Sequence, residues 1–294
     1  MNELTGSKTL LSGYHFIEGP RWRDGELWFS DMHGHRVLRS SLDGDVVEVA
    51  RVEEDRPSGL GWLADGRLLI VAMATQKLLR VEADGSLAVH ADLSSAALGD
   101  CNDMIVRADG TAYVGDMAFD VHGDGSDHKP GQTLRVAPDG TVAPAAGDLQ
   151  APNGHILSED ERTLIVAESG GFRLTAFDVS SDGSLSGRRT FAELQPDPPY
   201  EYSPPDGICL DAEGAVWFAD PIGKRFCRVL EGGEITDVIR PAEGATAIAC
   251  VLGGPDRGTL LMAVSQELPG AGSLPAGNAR VDVLEVSVPG AGRP

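Results

Sequence analysis

Short apolar runs recur along the 294-residue chain, separated by charged and glycine-rich segments. Six of these runs are close variants of one another: ELWFSDM, RLLIVAM, TAYVGDM, TLIVAES, AVWFADP and TLLMAVS. Their central residues are Trp28, Leu69, Tyr113, Ile165, Trp217 and Leu261, spaced 41, 44, 52, 52 and 44 positions apart. Runs this short and this rich in β-branched and aromatic residues are typical of β-strands. The pattern therefore predicts six repeats of β-structure.

Turn pairs separate the strands within each repeat. Asp24-Gly25, Asp65-Gly66 and Asp109-Gly110 precede three of the apolar runs, and a second turn follows the next strand, as in RVLRSSLDG and TLRVAPDG. Because glycine accepts the positive φ of a tight hairpin, these pairs indicate antiparallel strands. Each repeat then contains about four strands, the size of a propeller blade. The predicted fold is all-β: a six-bladed β-propeller with four-stranded blades around a central channel.

The whole chain, residues 1–294, is predicted to form this one domain. The last repeat ends after VDVLEVSVPG, one strand short, and the N-terminal stretch at about 8–13 resembles the missing outer strand. A strand donated in this way would join the last blade to the first and cover an exposed sheet edge. The acidic, glycine-rich stretch 120–131 is predicted to be a solvated loop.

One position in each repeat, 10 to 12 residues before the central residue, carries a polar side chain in most blades. Equivalent positions of radial repeats face the same axis, so these side chains are predicted to meet at one end of the channel. Carboxylate and amide oxygens suit hard divalent cations, and no His or Cys cluster has the spacing of a zinc finger. Each Asn-Gly or Asp-Gly pair alone is an ordinary turn, but their shared register predicts a metal site. The six residues are Glu18, Ser58, Asn102, Asn153, Asp206 and Cys250.

Charge and composition limit the classes of partner. The formal net charge of −21 opposes binding to phosphate backbones and to anionic membranes, so neither nucleic acid nor membrane is an expected partner. The four cysteines form no C-x-x-C pair and are expected to be free thiols in a reducing compartment. The first residues show no secretory leader. The chain is therefore predicted to be cytoplasmic, as a monomer or small homo-oligomer.

At the polar positions the sequence resembles the SMP-30/gluconolactonase/LRE family, which includes regucalcin and sugar lactonases. The resemblance runs from about Phe16 to about Ser265. It implies a propeller that uses one divalent metal ion to hydrolyse small lactones or related esters. The matching stretches are FIEGPRW near residue 18, CNDM at 101–104, APNGHILSEDERTLIVAES at 151–169, PPDGICLDAEGAVWFAD at 204–220 and ACVLGG at 249–254.

The resemblance also implies roles for single residues. Glu18, Asn153 and Asp206 correspond to the metal ligands, and Asp206 also corresponds to the general base or nucleophile. Asn102 corresponds to a residue that binds substrate or metal-bound water. Calcium is the first expectation for the ion, with zinc, magnesium and manganese as alternatives. Three neighbours complete the predicted substrate-binding set: Cys101, Asp103 and His155.

Three functions remain open from the sequence. Several sugar lactonases of the family carry an Arg two positions before the Asn of the Asn-Asp pair, where this chain has Asp100. That departure removes one residue on which an aldonolactone substrate would depend. The Cys-Asn-Asp version of the motif also resembles squid-type phosphotriesterases, and a calcium-binding propeller without activity is the third reading. A lactonase is the favoured prediction, and the presence of all three residues that match metal ligands argues against the third possibility.

Overall fold

The computed structural model describes residues 1–121, 129–269 and 272–292, so the predicted loop at 120–131 lies mostly outside the described part. Regular structure is almost entirely β, and the described helices are three single turns of 3-10 type, none of which could cross a bilayer. These turns are Met32–Gly34, Ser169–Gly171 and Ala242–Gly244.

Six antiparallel sheets are arranged as blades around a central axis, which confirms the predicted six-bladed β-propeller. Each blade begins with its innermost strand, next to the axis. Blade 1 consists of β3 (Ile17–Arg23), β4 (Glu26–Asp31), β5 (Arg36–Ser40) and β6 (Val46–Arg51). Blade 2 consists of β7 (Pro57–Trp62), β8 (Leu68–Ala72), β9 (Lys77–Val81) and β10 (Leu87–Asp92). Blade 3 consists of β11 (Cys101–Val106), β12 (Ala112–Asp116), β13 (Gly131–Val136) and β14 (Val142–Leu149).

The remaining three blades follow the same order. Blade 4 consists of β15 (Pro152–Leu157), β16 (Thr163–Glu168), β17 (Arg173–Val179) and β18 (Leu185–Glu193). Blade 5 consists of β19 (Ile208–Leu210), β20 (Val216–Asp220), β21 (Arg225–Val229), β22 (Ile235–Ile239) and an added β1 (Asn2–Leu4). Blade 6 consists of β23 (Thr246–Gly253), β24 (Thr259–Ser265), β25 (Ala279–Glu285) and β2 (Lys8–Tyr14).

Blades 5 and 6 both take a strand from the N-terminal segment. β2 pairs antiparallel with β25, with Lys8 opposite Val283 and Tyr14 opposite Ala279. β1 pairs parallel with β22, a contact that the sequence pattern did not indicate. The N-terminal segment therefore links these two blades before the chain enters blade 1.

The hydrophobic core is divided into clusters that lie between neighbouring blades. Phe29 of blade 1 and Leu261 of blade 6 belong to one such cluster, and Phe218 of blade 5 shares another with Ile165 of blade 4. Comparable clusters fill the other four interfaces. Burying each large side chain stabilises the fold by about 1.5–3 kcal/mol. Because this packing lies on both sides of every blade, the innermost strands are held at fixed positions around the axis.

A buried acid ends the second strand of four blades. Each is fully shielded from solvent and accepts a hydrogen bond from the first residue or two of the third strand, for example from Arg225 Nε to Asp220 Oδ2 at 3.0 Å. Most also accept backbone or hydroxyl hydrogens from the segment that leads into the innermost strand, as Asp220 does from Ser203 Oγ at 2.7 Å. These acids therefore fix the start of the strand that reaches the channel. The four are Asp31, Asp116, Glu168 and Asp220.

We expect Asp220→Ala to destabilise the fold by about 3–5 kcal/mol, because it leaves the buried guanidinium of Arg225 without its carboxylate. Urea unfolding followed by tryptophan fluorescence measures this change. The exposed Asp43 provides the control, since Asp43→Ala is expected to change the free energy of unfolding by less than about 0.5 kcal/mol. Equal effects of the two substitutions would contradict a structural role for the buried acid.

Candidate active site

The innermost strands share a bulge near their starts. A bulge leaves a residue out of the hydrogen-bonded ladder and changes the direction of its side chain. In blade 5 the strand begins only at Ile208, and Asp206 N donates to Ala219 O at 2.9 Å just before it. The irregularity thus occurs at the same height around the axis. The other shifts in pairing lie between Glu18 and Arg21, Pro57 and Leu60, Cys101 and Met104, Pro152 and His155, and Ala247 and Ala249.

Five polar residues and one apolar residue occupy the equivalent position at this irregularity, and we call them the channel ring. Five of the six agree with the positions expected from the sequence. The strand pairing brings them to one end of the channel from six different blades. They are Glu18, Ser58, Asn102, Asn153, Asp206 and Ile248.

The prediction that Cys250 occupies the sixth position is wrong. Leu261 pairs with Val251, ten residues earlier, whereas Tyr113 pairs with Ile105, eight residues earlier. The blade 6 hairpin is therefore one residue pair longer, and counting back from its centre ends two residues too late. Cys250 lies instead in the core between blades 5 and 6, with its Sγ 3.8 Å from that of Cys209.

A chain of hydrogen bonds runs through three members of the channel ring. Ser58 Oγ donates to Asn102 Oδ1 at 2.6 Å, and Asn102 Nδ2 donates to Asn153 Oδ1 at 3.1 Å. An interaction with the Asn153 side chain opposes, in part, the rise that burial causes in the pKa of Asp206. These hydrogen bonds fix the orientation of the Asn102 and Asn153 amide groups, so the positions of the amide oxygen and nitrogen of each side chain are defined. Asp206 Oδ1 is buried and has no hydrogen-bond partner within the described part of the chain.

The carboxylates of Glu18 and Asp206, in blades 1 and 5, are close enough for their charges to interact. Burial raises the pKa of Glu18 well above its usual range, and the nearby carboxylates of Asp206 and Asp103 raise it further. Burial likewise raises the pKa of Asp206. Among the described residues no three His, Cys, Asp or Glu side chains cluster closely enough to hold a metal ion by themselves. The donors that fit a cation are therefore these two carboxylates together with the amide oxygens of the ring.

Asp103 and His155 lie beside the ring and are already engaged with protein groups. Asp103 accepts from Arg21 Nη2 at 2.6 Å and from His155 N at 3.1 Å. The imidazole Nδ1 of His155 lies 2.6 Å from Asn153 O, and its Nε2 lies 3.0 Å from Thr133 Oγ1. The sequence predicted that Asp103 and His155 bind substrate. The contacts that they make here instead hold Asn153 and its strand in position. Arg21, to which the sequence analysis gave no role, follows Glu18 by three residues on β3.

Cys101 does not reach the channel. Its side chain is fully buried in the cluster between blades 2 and 3, together with Val71 and Leu134. Successive side chains of a strand point to opposite faces, so a residue next to Asn102 is directed between the blades. The structure thus corrects the prediction that Cys101 contacts the substrate.

Glycine follows the ring residue in four blades because neighbouring innermost strands approach closely there. A Cβ added to Gly154 would lie 2.7 Å from Asp206 O, and one added to Gly59 would lie 2.5 Å from Met104 N. These distances are too short for any side chain. The close approach therefore holds adjacent ring residues within hydrogen-bonding range. The four glycines are Gly19, Gly59, Gly154 and Gly207.

The fold and the ring together define a six-bladed propeller with an oxygen-rich site at one end of its channel. The chain belongs to the SMP-30/gluconolactonase/LRE-like family, whose model matches residues 16–266.

Named relatives agree with this assignment. Regucalcin of Xenopus laevis is 30% identical over 250 residues, covering 83% of this chain and 81% of the relative. Lactonase drp35 of Staphylococcus saprophyticus is 28% identical over 215 residues, covering 67% and 60%. The solved structure of a gluconolactonase from Xanthomonas campestris is 26% identical, with a TM-score of 0.72 and coverage of 96% and 89%.

The close strand approach gives a test. We expect Gly154→Ala to destabilise the protein by about 1–3 kcal/mol, because the new methyl group must push the backbone at Asp206 away. Gly147→Ala on β14 is the matched control, since nothing lies within 4 Å of its Cβ position. Its free energy of unfolding should stay within about 0.5 kcal/mol of the parent value. The interpretation fails if the two variants unfold alike in urea.

Proposed function

We propose that this chain is a divalent-metal-dependent lactonase and that calcium is its ion. The observation that carries the proposal is the pair of carboxylates in the channel ring, with Asp206 Oδ1 buried and without a hydrogen-bond partner among the described residues. A buried carboxylate oxygen without a donor is costly unless a cation occupies the space beside it. The names of the relatives, a lactonase and a gluconolactonase among them, support hydrolysis of a lactone.

Glu18, Asn153 and Asp206 are the residues that would hold the ion. Their donors are two carboxylates and one amide oxygen, so the charge of these three side chains, with both carboxyl groups ionised, balances that of a divalent cation. Calcium accepts six to eight oxygen ligands in flexible geometry, which leaves positions for water and for a substrate oxygen. The absence of imidazole and thiolate from the channel ring favours calcium over zinc.

A bound divalent cation supplies polarisation of the ester carbonyl and a lower pKa for a nearby water. Asp206 is assigned to take a proton from the water as it attacks the lactone carbonyl. The bond between the carbonyl carbon and the ring oxygen of the lactone then breaks, and the same proton passes from Asp206 to that lactone oxygen. The product is the open hydroxy acid. Asn102 donates one amide hydrogen to Asn153, and its second amide hydrogen, which has no acceptor among the described residues, would bind a substrate oxygen.

Substitutions of Asp206 and Glu18 distinguish a residue that acts as the general base from one that only binds the ion. We expect Asp206→Asn to lower kcat at least 100-fold even at saturating calcium, because general base catalysis contributes about 10²–10⁴-fold. Glu18→Gln should instead need more calcium and recover part of its activity when calcium is raised. Initial rates on D-glucono-1,5-lactone, δ-valerolactone and dihydrocoumarin, after exhaustive chelation and titration with each ion, measure both effects.

The exposed Glu54 supplies the control, since Glu54→Gln should leave rates and calcium dependence unchanged. An Asp206→Asn variant that keeps most of its activity on every lactone the parent accepts would remove Asp206 from the mechanism. Turnover of a phosphotriester such as paraoxon, with no lactone accepted, would replace the lactonase proposal by the alternative ester hydrolase.

A further inference from the structure

A buried pair of opposite charges lies beside the channel ring. Arg21 Nη2 donates to Asp103 Oδ1 at 2.6 Å, and less than a tenth of either side chain is exposed. The pair joins the innermost strands of blades 1 and 3 and passes over blade 2, which lies between them in the chain. Because burying an unpaired charge is costly, each side chain holds the other in place.

Both members of the pair are fixed by further hydrogen bonds. Arg21 Nη1 donates to Pro20 O at 3.0 Å, and Arg21 Nη2 also donates to the carbonyl oxygen of Met104. On the other side of the pair, Asp103 Oδ2 accepts from His155 N at 3.1 Å. The positive and the negative charge therefore stay at defined positions next to the ring.

These charges act on the carboxylates of the ring. Burial raises the pKa of Glu18, the charges of Asp206 and Asp103 raise it further, and the charge of Arg21 lowers it. For Asp206, burial again raises the pKa most, and the charge of Asp103 adds to the rise. Arg21 and Asp103 are therefore close enough to the ring for their charges to act on an ion bound there.

His155, which contacts Asp103 through its backbone, adds no charge to the site. Its Nδ1 can donate to Asn153 O, 2.6 Å away, while its Nε2 accepts the hydroxyl hydrogen of Thr133 at 3.0 Å. One donor and one acceptor nitrogen are the pattern of a neutral imidazole.

The net charge of the site follows from these groups. Glu18, Asp206 and Asp103 supply three negative charges when ionised, and Arg21 supplies one positive charge. The total is −2, the charge that a divalent cation neutralises. Without Arg21 the total would be −3, which attracts every cation more strongly and a trivalent cation most of all.

We propose that Arg21 sets the charge of the ion that the ring accepts: by neutralising Asp103, it favours a divalent cation over a trivalent cation of similar size. The inference rests on the proposed function, because it needs an ion beside Glu18 and Asp206. Ion size and ligand type do not provide this selectivity, since lanthanide ions such as terbium(III) resemble calcium in radius and in their preference for oxygen ligands.

Calorimetry of terbium(III) and of calcium binding to chelator-treated protein, in a neutral buffer without phosphate, tests Arg21 without any need for turnover. We expect Arg21→Met to raise the ratio of terbium affinity to calcium affinity about 10- to 100-fold, as for one unit charge acting over about 6–10 Å at an effective dielectric constant of about 20. Arg21→Lys should keep the ratio near the parent value, because an ammonium keeps the charge although it lacks the planar fork.

Asp103 provides a substitution of the opposite sign. Asp103→Asn removes a negative charge, so the same ratio should fall about 10- to 100-fold. The double substitution Arg21→Met/Asp103→Asn should return the ratio to near the parent value. A purely structural role for the pair would weaken the binding of both ions alike. Asp103→Asn and the double variant decide between these outcomes even if Arg21→Met alone does not fold.

Arg23→Met is the matched control, because Arg23 lies two residues further along β3 and pairs with the exposed Asp24. It should leave the ratio unchanged. The inference is overturned if Arg21→Met does not raise the ratio or if Asp103→Asn does not lower it.

Ion binding and turnover together separate this inference from the proposed function. A parent that binds calcium but hydrolyses no lactone overturns the lactonase, while the affinity ratios still decide the role of Arg21. A parent that hydrolyses lactones with calcium, and whose ion preference neither substitution changes, keeps the proposed function and overturns the inference. A parent that binds neither ion overturns both.

Discussion

Repulsion between the carboxylates of Glu18 and Asp206 is the constraint around which the channel is arranged. Burial raises the pKa of both carboxyl groups, and the charge of Asp206 raises the pKa of Glu18 further. A folded protein retains two such carboxylates when another interaction offsets the free-energy cost of their burial and repulsion. The other polar members of the ring are neutral, and their hydrogen bonds run in one direction toward Asp206. The divalent cation that we propose would offset this cost.

The scaffold explains why the carboxylates cannot move apart. Buried acids such as Asp220 fix the segments that lead into the innermost strands, and hydrophobic clusters fill the interfaces between blades. Glycines such as Gly154 then allow the strands to approach until adjacent ring residues touch. The position of each ring residue is therefore set by packing some distance from the axis.

The number of blades and most of the channel ring could be predicted from the sequence, because both depend on the spacing of residues along the chain. The six similar apolar runs gave the number of blades, and five ring residues lie 10 to 12 residues before a strand centre. Cys250 was misplaced because one hairpin is a residue pair longer, which no local signal shows. The pairing of Arg56 with Asp100 joins residues of two blades, so only the folded structure brings them together. The same holds for Arg21 and Asp103.

The free energy of unfolding, with chelator and with calcium, tests the central claim most directly when the parent is compared with Glu18→Gln. The account predicts that calcium at 100 times its dissociation constant stabilises the parent by about 2.7 kcal/mol. Glu18→Gln should be at least as stable as the parent in chelator, because the repulsion is removed, and should gain much less from the same calcium. A parent that no divalent cation stabilises, or a variant that is less stable in chelator and gains as much from calcium, would contradict the account.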